Sequence, residues 1–293
     1  MFPNLEAGEE MARKRRTARM RYSEAVVTGP VVDLHADMDG KSERVTQAIL
    51  GTPLMVAKTR RGWLRVTTPD AYRGWIDASA TRRLKFREPR YASKGRIALI
   101  TSNVAIIYLE PFREPRESIT VTVDARLELV SEQDHRFKVR LPDARVGWVR
   151  KEDVTVRTGG FTYPITSRKK TVDVGKRFLG VPYLWGGTTP LGFDCSGFVQ
   201  LVCKMNGLNL PRDTDMQFMV GRPIEVRDLQ PADLLFFSNM SSGITHVGMF
   251  AGGGEFIHAS GKASGVTITS LSDPYYQSVL VGARRVWKNR ADS

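Results

Sequence analysis

Cysteine is scarce in this chain: of 293 residues only Cys195 and Cys203 carry a thiol, and there are only four histidines, His35, His135, His246 and His258. That scarcity rules out a disulfide-stapled scaffold and argues against a structural zinc site, which wants four ligands at close spacings such as Cys-x-x-Cys. Nor should the two thiols pair. On one helix, eight residues hold them about 12 Å apart, against the roughly 7 Å between Cα atoms that a disulfide tolerates. Long apolar runs are missing too, and nothing approaches the roughly 20 residues a spanning helix needs. The early stretch "MARKRRTARMRYSEAVVTGP" passes from arginines to polar residues without the apolar core of a secretory signal. A cytoplasmic protein is therefore expected, or a secreted one if the true start lies upstream; Met1, Met11 and Met20 are all candidate starts.

What the chain does have is length for two or three domains, 41% hydrophobic residues, and a net charge of +13. A basic balance favours acidic partners such as nucleic acid, anionic wall polymer or acidic small molecules. Residues 1–22 hold six Lys or Arg against three Glu, while the remaining excess is scattered and forms no recognisable nucleic-acid motif. The plainer explanation is a basic solvated surface.

The texture changes along the chain. After a basic segment over 1–23, residues 24–158 break into short β-branched or aromatic runs, "PLMVAK", "WLRVTT", "IALIT" and "FKVRL", punctuated by Gly, Pro and Asp. This half also repeats: "PDAYRGWID" at 69–77 returns as "PDARVGWVR" at 142–150, an offset of 73 that also lays Leu54 and Val56 on Leu127 and Leu129. Two small β barrels over 24–88 and 95–158 are predicted, with Trp75 and Trp148 as core plugs. From about 165 to 290 an α/β alternation is expected, with helices around "TVDVGKRFLG" and from 194 onward, then four strands, "DLLFFS", "THVGMF", "EFIHAS" and "VTITSL".

After Cys195, the apolar residues Phe198, Leu201, Val202 and Met205 form a helical stripe. Cys195 then lies in a first helical turn, where free N–H groups and the positive dipole end favour a thiolate. Cys203 lies two turns further in and reads as core. A thiol nucleophile needs a base. In "THVGMFAGGGEFIHAS", pairing Phe250 with Gly254 across a three-residue loop sets His246 directly opposite His258 on one face. Given that register, His246 takes the thiol proton while His258 holds its ring. The residues alone leave other readings open, since a cysteine and two strand histidines are also ordinary core residues, Asp194 is an ordinary N-cap, and Gly197 has a packing explanation.

The segments "VPYLWGGTTPLGFDCSGFVQ", "LPRDTDMQ", "LQPADLLFFS", "THVGMFAGGGEFIHAS" and "GVTITSL" resemble, in order, the NlpC/P60 family of papain-like cysteine peptidases. The Gly-Trp units ahead of them resemble bacterial SH3-like (SH3b) domains. The fold class implied is an α+β papain-like catalytic domain preceded by two small all-β SH3-like barrels. The resemblance implies Cys195 as nucleophile, His246 as base and His258 as orienting residue, with no metal or organic cofactor. It also implies cleavage of murein peptides between γ-D-glutamyl and a diamino acid.

The three-part layout is most similar to γ-D-glutamyl-L-diamino acid endopeptidases of murein peptide recycling, in which the first barrel closes one end of the cleft and demands a free N-terminal L-Ala. Carried over residue by residue, Glu43 of "SERVTQ", Tyr72 of "AYRGW" and Asp213 of "PRDTD" would hold the ammonium. Tyr183 and Trp185 would line the cleft, the Tyr183 hydroxyl and the Cys195 N–H would be oxyanion donors, and Asp194, Ser196 and Thr214 would be further substrate contacts. The partner implied is the murein peptide itself, met by a monomer. Competing readings are a lytic hydrolase acting on intact wall, an idle wall-binding module, and, more distantly, a nucleic-acid role for residues 1–23.

Overall fold

The computed structural model describes residues 23–110, 117–240 and 243–287. The basic segment therefore lies almost wholly outside the described residues.

The first β unit contains β1 (Ser23–Val27), β2 (Val31–His35), β3 (Arg44–Ile49), β4 (Pro53–Arg60), β5 (Trp63–Thr67), β6 (Arg73–Asp77) and β7 (Thr81–Arg83). The second contains β8 (Arg96–Ile100), β9 (Val104–Tyr108), β10 (Ser118–Thr122), β11 (Arg126–Gln133), β12 (Arg136–Arg140), β13 (Val146–Arg150) and β14 (Val154–Thr158). Their sheets run in the orders β3-β2-β6-β5-β4-β1-β7 and β10-β9-β13-β12-β11-β8-β14, the same wiring advanced by seven strands. The offset of 73 extends to the cores. Ala25, Leu34, Leu54, Leu64, Val66 and Ile76 in one unit correspond to Ala98, Ile107, Leu127, Phe137, Val139 and Val149 in the other, all buried. Even the turn conformation repeats, with Ala71 at φ 67° and Ala144 at φ 72°.

The two tryptophans depart from expectation. Within β6 the buried residues are Gly74 and Ile76, so alternation along the strand turns Trp75 to the opposite face, where it is half-buried. Trp148 does the same between Gly147 and Val149. Each carries a cation near its ring, Arg65 at 5.8 Å and Lys138 at 5.6 Å from the centroids. Glycine is required inside, since a Cβ at 74 would sit 2.9 Å from that of Leu34.

The third unit has helices α1 (Arg168–Lys176), α2 (Cys195–Met205), α3 (Thr214–Phe218) and α4 (Pro274–Val279). Its strands are β15 (Thr188–Thr189), β16 (Gly192–Phe193), β17 (Arg222–Ile224), β18 (Leu234–Phe237), β19 (His246–Gly252), β20 (Glu255–Ser260), β21 (Gly265–Ser270) and β22 (Leu280–Arg285). Six of these make an antiparallel sheet in the order β17-β22-β18-β19-β20-β21. Alternation splits its side chains. Leu234, Phe236, Val247, Met249 and Ile257 pack with Phe198, Val199 and Val202 of α2, whereas Leu235, Phe237 and Phe256 pack with Tyr276 of α4. The α2 stripe is the one its sequence predicts, with Asp194 as N-cap accepting from the Gly197 N–H at 2.7 Å.

The units dock in series. Leu50 of the first is buried in the core cluster of the second, and Val123, its equivalent, is buried in that of the third. The first unit also reaches the third directly. Arg44 donates to the Trp185 carbonyl at 3.0 Å, the Thr188 N–H donates to Gln47 at 3.0 Å, and Gln200 donates to Asp70 at 3.0 Å. Gly186, at φ 73°, permits this approach, because a Cβ there would run into the Arg44 carbonyl.

Candidate active site

Cys195 opens α2 and is buried against the start of β19. The backbone N–H groups of Val247 and Ser196 are directed at its sulfur, and the Thr214 hydroxyl lies 3.9 Å away. The first turn is close-packed: a Cβ on Gly197 would strike the carbonyl of Gly187. Helix position alone predicts a depressed thiol pKa, and the structure corrects this. Burial, followed by the neighbouring Asp194 carboxylate, pushes the Cys195 thiol up despite those donors. Cys203, fully buried in the helix middle, is pushed up to about 12 by burial alone. Both thiols are free.

The histidines meet, though not as the three-residue loop predicts. Met249 pairs with Ile257 and Phe250 with Phe256, which extends to Gly248 opposite His258. The turn is tighter, with the irregularity falling between Phe250 and Gly252. Because the register moves by two residues, both rings stay on one face and His246 faces His258 diagonally rather than squarely. A Cβ at 248 would sit 3.3 Å from that of His258, so glycine leaves the diagonal open.

His246 Nε2 lies 2.7 Å from His258 Nδ1, and His258 Nε2 lies 2.9 Å from the Thr269 hydroxyl. These two contacts link the proton positions of the rings. For His246 to accept at Nδ1, its Nε2–H must donate to His258 Nδ1, and His258 must then donate through Nε2–H to Thr269. Phe256 and Tyr276 wall the pair, with centroids 4.6 and 5.2 Å from that of His258. Burial holds His246 down at about 4, and burial together with its neighbour holds His258 down at about 3. Both shifts favour the uncharged forms at rest, a neutral thiol and a neutral imidazole chain.

The three residues expected to hold an ammonium come from two units and lie near one another. The Tyr72 hydroxyl donates to Asp213, and its pKa is pushed up to about 12 by burial and by the carboxylates of Asp213 and Glu43. Burial also raises the Asp213 carboxyl. Glu43 accepts from the Trp185 indole N–H at 2.9 Å, with the Trp185 ring 62% exposed. Tyr183 is half-buried beside Cys195, and its hydroxyl, held up at about 12, remains a donor.

Asp194 and Ser196 face inward and are committed to protein partners. Oδ1 and Oδ2 of Asp194 receive the Gly197 and Gly186 N–H groups and two Arg212 nitrogens at 3.1 and 2.5 Å. Arg212 also donates to Ser196 Oγ at 2.7 Å and to Thr46 of the first unit at 3.1 Å. Only 3% of this arginine is exposed. Arg212 and Thr269 escaped the sequence reading. The one available signal was a lone arginine behind Leu210-Pro211. For Thr269 it was a threonine two residues from the one facing His258. Among the described residues, no group of three or more His, Cys, Asp or Glu could hold a metal ion, and no helix is long and apolar enough to cross a membrane.

A helix-opening thiol, an imidazole pair and a row of donors are the components that a cysteine hydrolase of the nucleophile, base and orienter type requires. Residues 180–285 match the NlpC/P60 family model and residues 34–80 match that of the bacterial dipeptidyl-peptidase Sh3 domain. A γ-D-glutamyl-L-lysine dipeptidyl-peptidase of Bacillus cereus is 34% identical over 82% of this chain and 74% of its own length. A Bacillus subtilis protein of the same name is 28% identical over 82% and 80%. The crystal structure of an NlpC/P60 family protein from Bacillus cereus superposes with a TM-score of 0.81 at 27% identity, covering 91% of this chain and all of that one. The chain belongs to the NlpC/P60 family of cysteine peptidases, and it is a hydrolase.

Proposed function

We propose that this enzyme hydrolyses the γ-D-glutamyl–diamino acid bond of murein peptides that begin with a free L-Ala. The observation that carries the reading is the junction of Glu43 and Tyr72 with Asp213, at the end of the cleft that the first β unit covers. An ammonium entering this partly buried junction finds two carboxylates and a phenol. An N-acylated or glycan-linked chain would leave those groups unpaired, at a cost of several kcal/mol. The names of the two Bacillus relatives support the same bond.

With thiol and imidazole both neutral at rest, proton transfer accompanies attack. His246 Nδ1 takes the Cys195 proton as sulfur adds to the γ-carbonyl carbon. The Cys195 N–H and the Tyr183 hydroxyl receive the developing oxyanion. The imidazolium then protonates the leaving amine and the C–N bond breaks, giving a thioester. Water, deprotonated by His246, releases L-Ala-D-Glu and restores the thiol. His258 and Thr269 hold the base in the required tautomer. We read both β units as SH3-like barrels, on their common wiring, and the third unit as a papain-like α+β domain.

The test uses L-Ala-γ-D-Glu-diamino acid tripeptide with and without N-acetylation. Rapid cleavage of the free peptide alone is expected, and loss of at least about 10⁴-fold in Cys195→Ala. Equal cleavage of both peptides, or digestion of intact sacculi, would overturn the closed-end reading. Activity surviving Cys195→Ala would overturn the chemistry.

A further inference from the structure

Beside His246 opens a cavity of about 200 Å³ to which no residue of either β unit contributes. Its walls include Asn239, Ser260, Lys262, Tyr275 and Tyr276. With His246 neutral, Lys262 brings the one charge in the lining, and its ammonium lies 5.1 Å from the centroid of the Tyr275 ring. Lys262 is solvent-exposed.

Chemistry decides what enters. In the reaction proposed above the imidazole that protonates the leaving nitrogen must touch it, so the residue released as amine begins at His246, whose ring is part of this lining. Sites for drug-sized ligands run to about 300–1,000 Å³. The smaller volume here suits one amino-acid residue. Two aromatic rings offer apolar walls to its methylene chain, and the cation awaits an anion at its far end.

We infer that this cavity receives the leaving diamino acid and that Lys262 binds a carboxylate on it. This rests on the peptidase reading above and adds what it leaves open, the preference on the leaving side. The carboxylate has two possible sources, the α-carboxylate of a C-terminal residue or the side-chain carboxylate of a dicarboxylic diamino acid such as meso-diaminopimelate. A leaving residue whose only free charge is an ammonium is disfavoured.

Three peptides separate these sources: L-Ala-γ-D-Glu linked to L-lysinamide, to L-lysine, and to meso-diaminopimelate amidated at its α-carboxyl. At least one of the two carboxylate-bearing peptides should exceed the lysinamide in kcat/KM by about fivefold, the scale of an exposed ion pair. Whichever gains identifies the source. Lys262→Glu should reverse the order and favour the lysinamide, with an unchanged melting temperature as the check on folding. Equal cleavage of all three by the wild type, or an order that survives Lys262→Glu, overturns the inference while leaving the peptidase reading intact. Cleavage of none by the wild type removes the peptidase reading and this inference together.

Discussion

The two β units share a strand order and a buried core at a spacing of 73 residues, yet they serve the enzyme differently. The first lays β3 and the turn before β6 onto the catalytic unit and brings Glu43, Thr46, Gln47 and Tyr72 against Trp185, Arg212, Thr188 and Asp213. The second meets that unit at the far end of α2 from Cys195 and just past α1: Arg177 donates to the Thr101 carbonyl, and Lys204 of α2 pairs with Asp124 at 2.6 Å. Where the first has Tyr72, the second has Arg145, paired locally with Asp143 at 2.7 Å. Duplication preserved the interior, and β3 with the turn before β6 carries the difference in use.

That comparison can be broken most forcefully at its two bridging cations. Arg212→Ala strands the buried Asp194 carboxylate and should cost about 3–5 kcal/mol of stability. Lys204→Ala, the bridge to the second unit, leaves Asp124 with Arg126 at 3.5 Å and should cost less, roughly 1–3 kcal/mol. Urea unfolding of both variants checks the ranking, and a reversed order would mean that the nucleophile-side bridge is the weaker one.

Acid should single out the catalytic unit. His246 and His258 titrate near 6.5 when unfolded but near 4 and 3 when folded. The unfolded chain therefore binds more protons below 6.5. Stability from the buried neutral pair is complete above that pH and declines as pH falls toward 4 and then 3, by up to a few kcal/mol. Melting curves between pH 7 and 4 test this, and hydrogen exchange at pH 4.5 should show β19 and β20 loosening before the β units. A flat melting temperature would contradict a buried neutral pair.

At the cleft, Tyr72→Phe removes one hydrogen bond and should lower kcat/KM on a free-amine tripeptide by about tenfold, since bonds to charged groups contribute 1.5–3 kcal/mol. Its counterpart Arg145→Ala should change nothing measurable on the same substrate. Loss of activity in Arg145→Ala would make the two units functionally equivalent.

What could be read from the sequence was local or periodic. The Asp-capped stripe after Cys195 gave α2, and identical spacing gave the repeat. The parity of β pairing survived an error of two residues, so His246 and His258 were brought together by a register that was itself wrong. What stayed hidden depends on surroundings. The direction of Trp75 turned on whether Gly74 or the indole faced Leu34, and the charge state of Cys195 turned on desolvation, which no spacing encodes. Arg212 joins residues 18 and 166 positions away, and Thr269 completes a diagonal across a third strand. Both are properties of the assembled molecule.

The contact between Trp185 and Glu43 spans 142 residues of chain, and that between Arg212 and Thr46 spans 166. During synthesis, units fold as they emerge, the N-terminal ones first. The unit carrying Glu43 and Tyr72 can be complete while its counterpart surface at Trp185, Arg212 and Asp213 is still untranslated. The ammonium pocket proposed above is thus a late product of assembly, completed only when the last unit closes on the first.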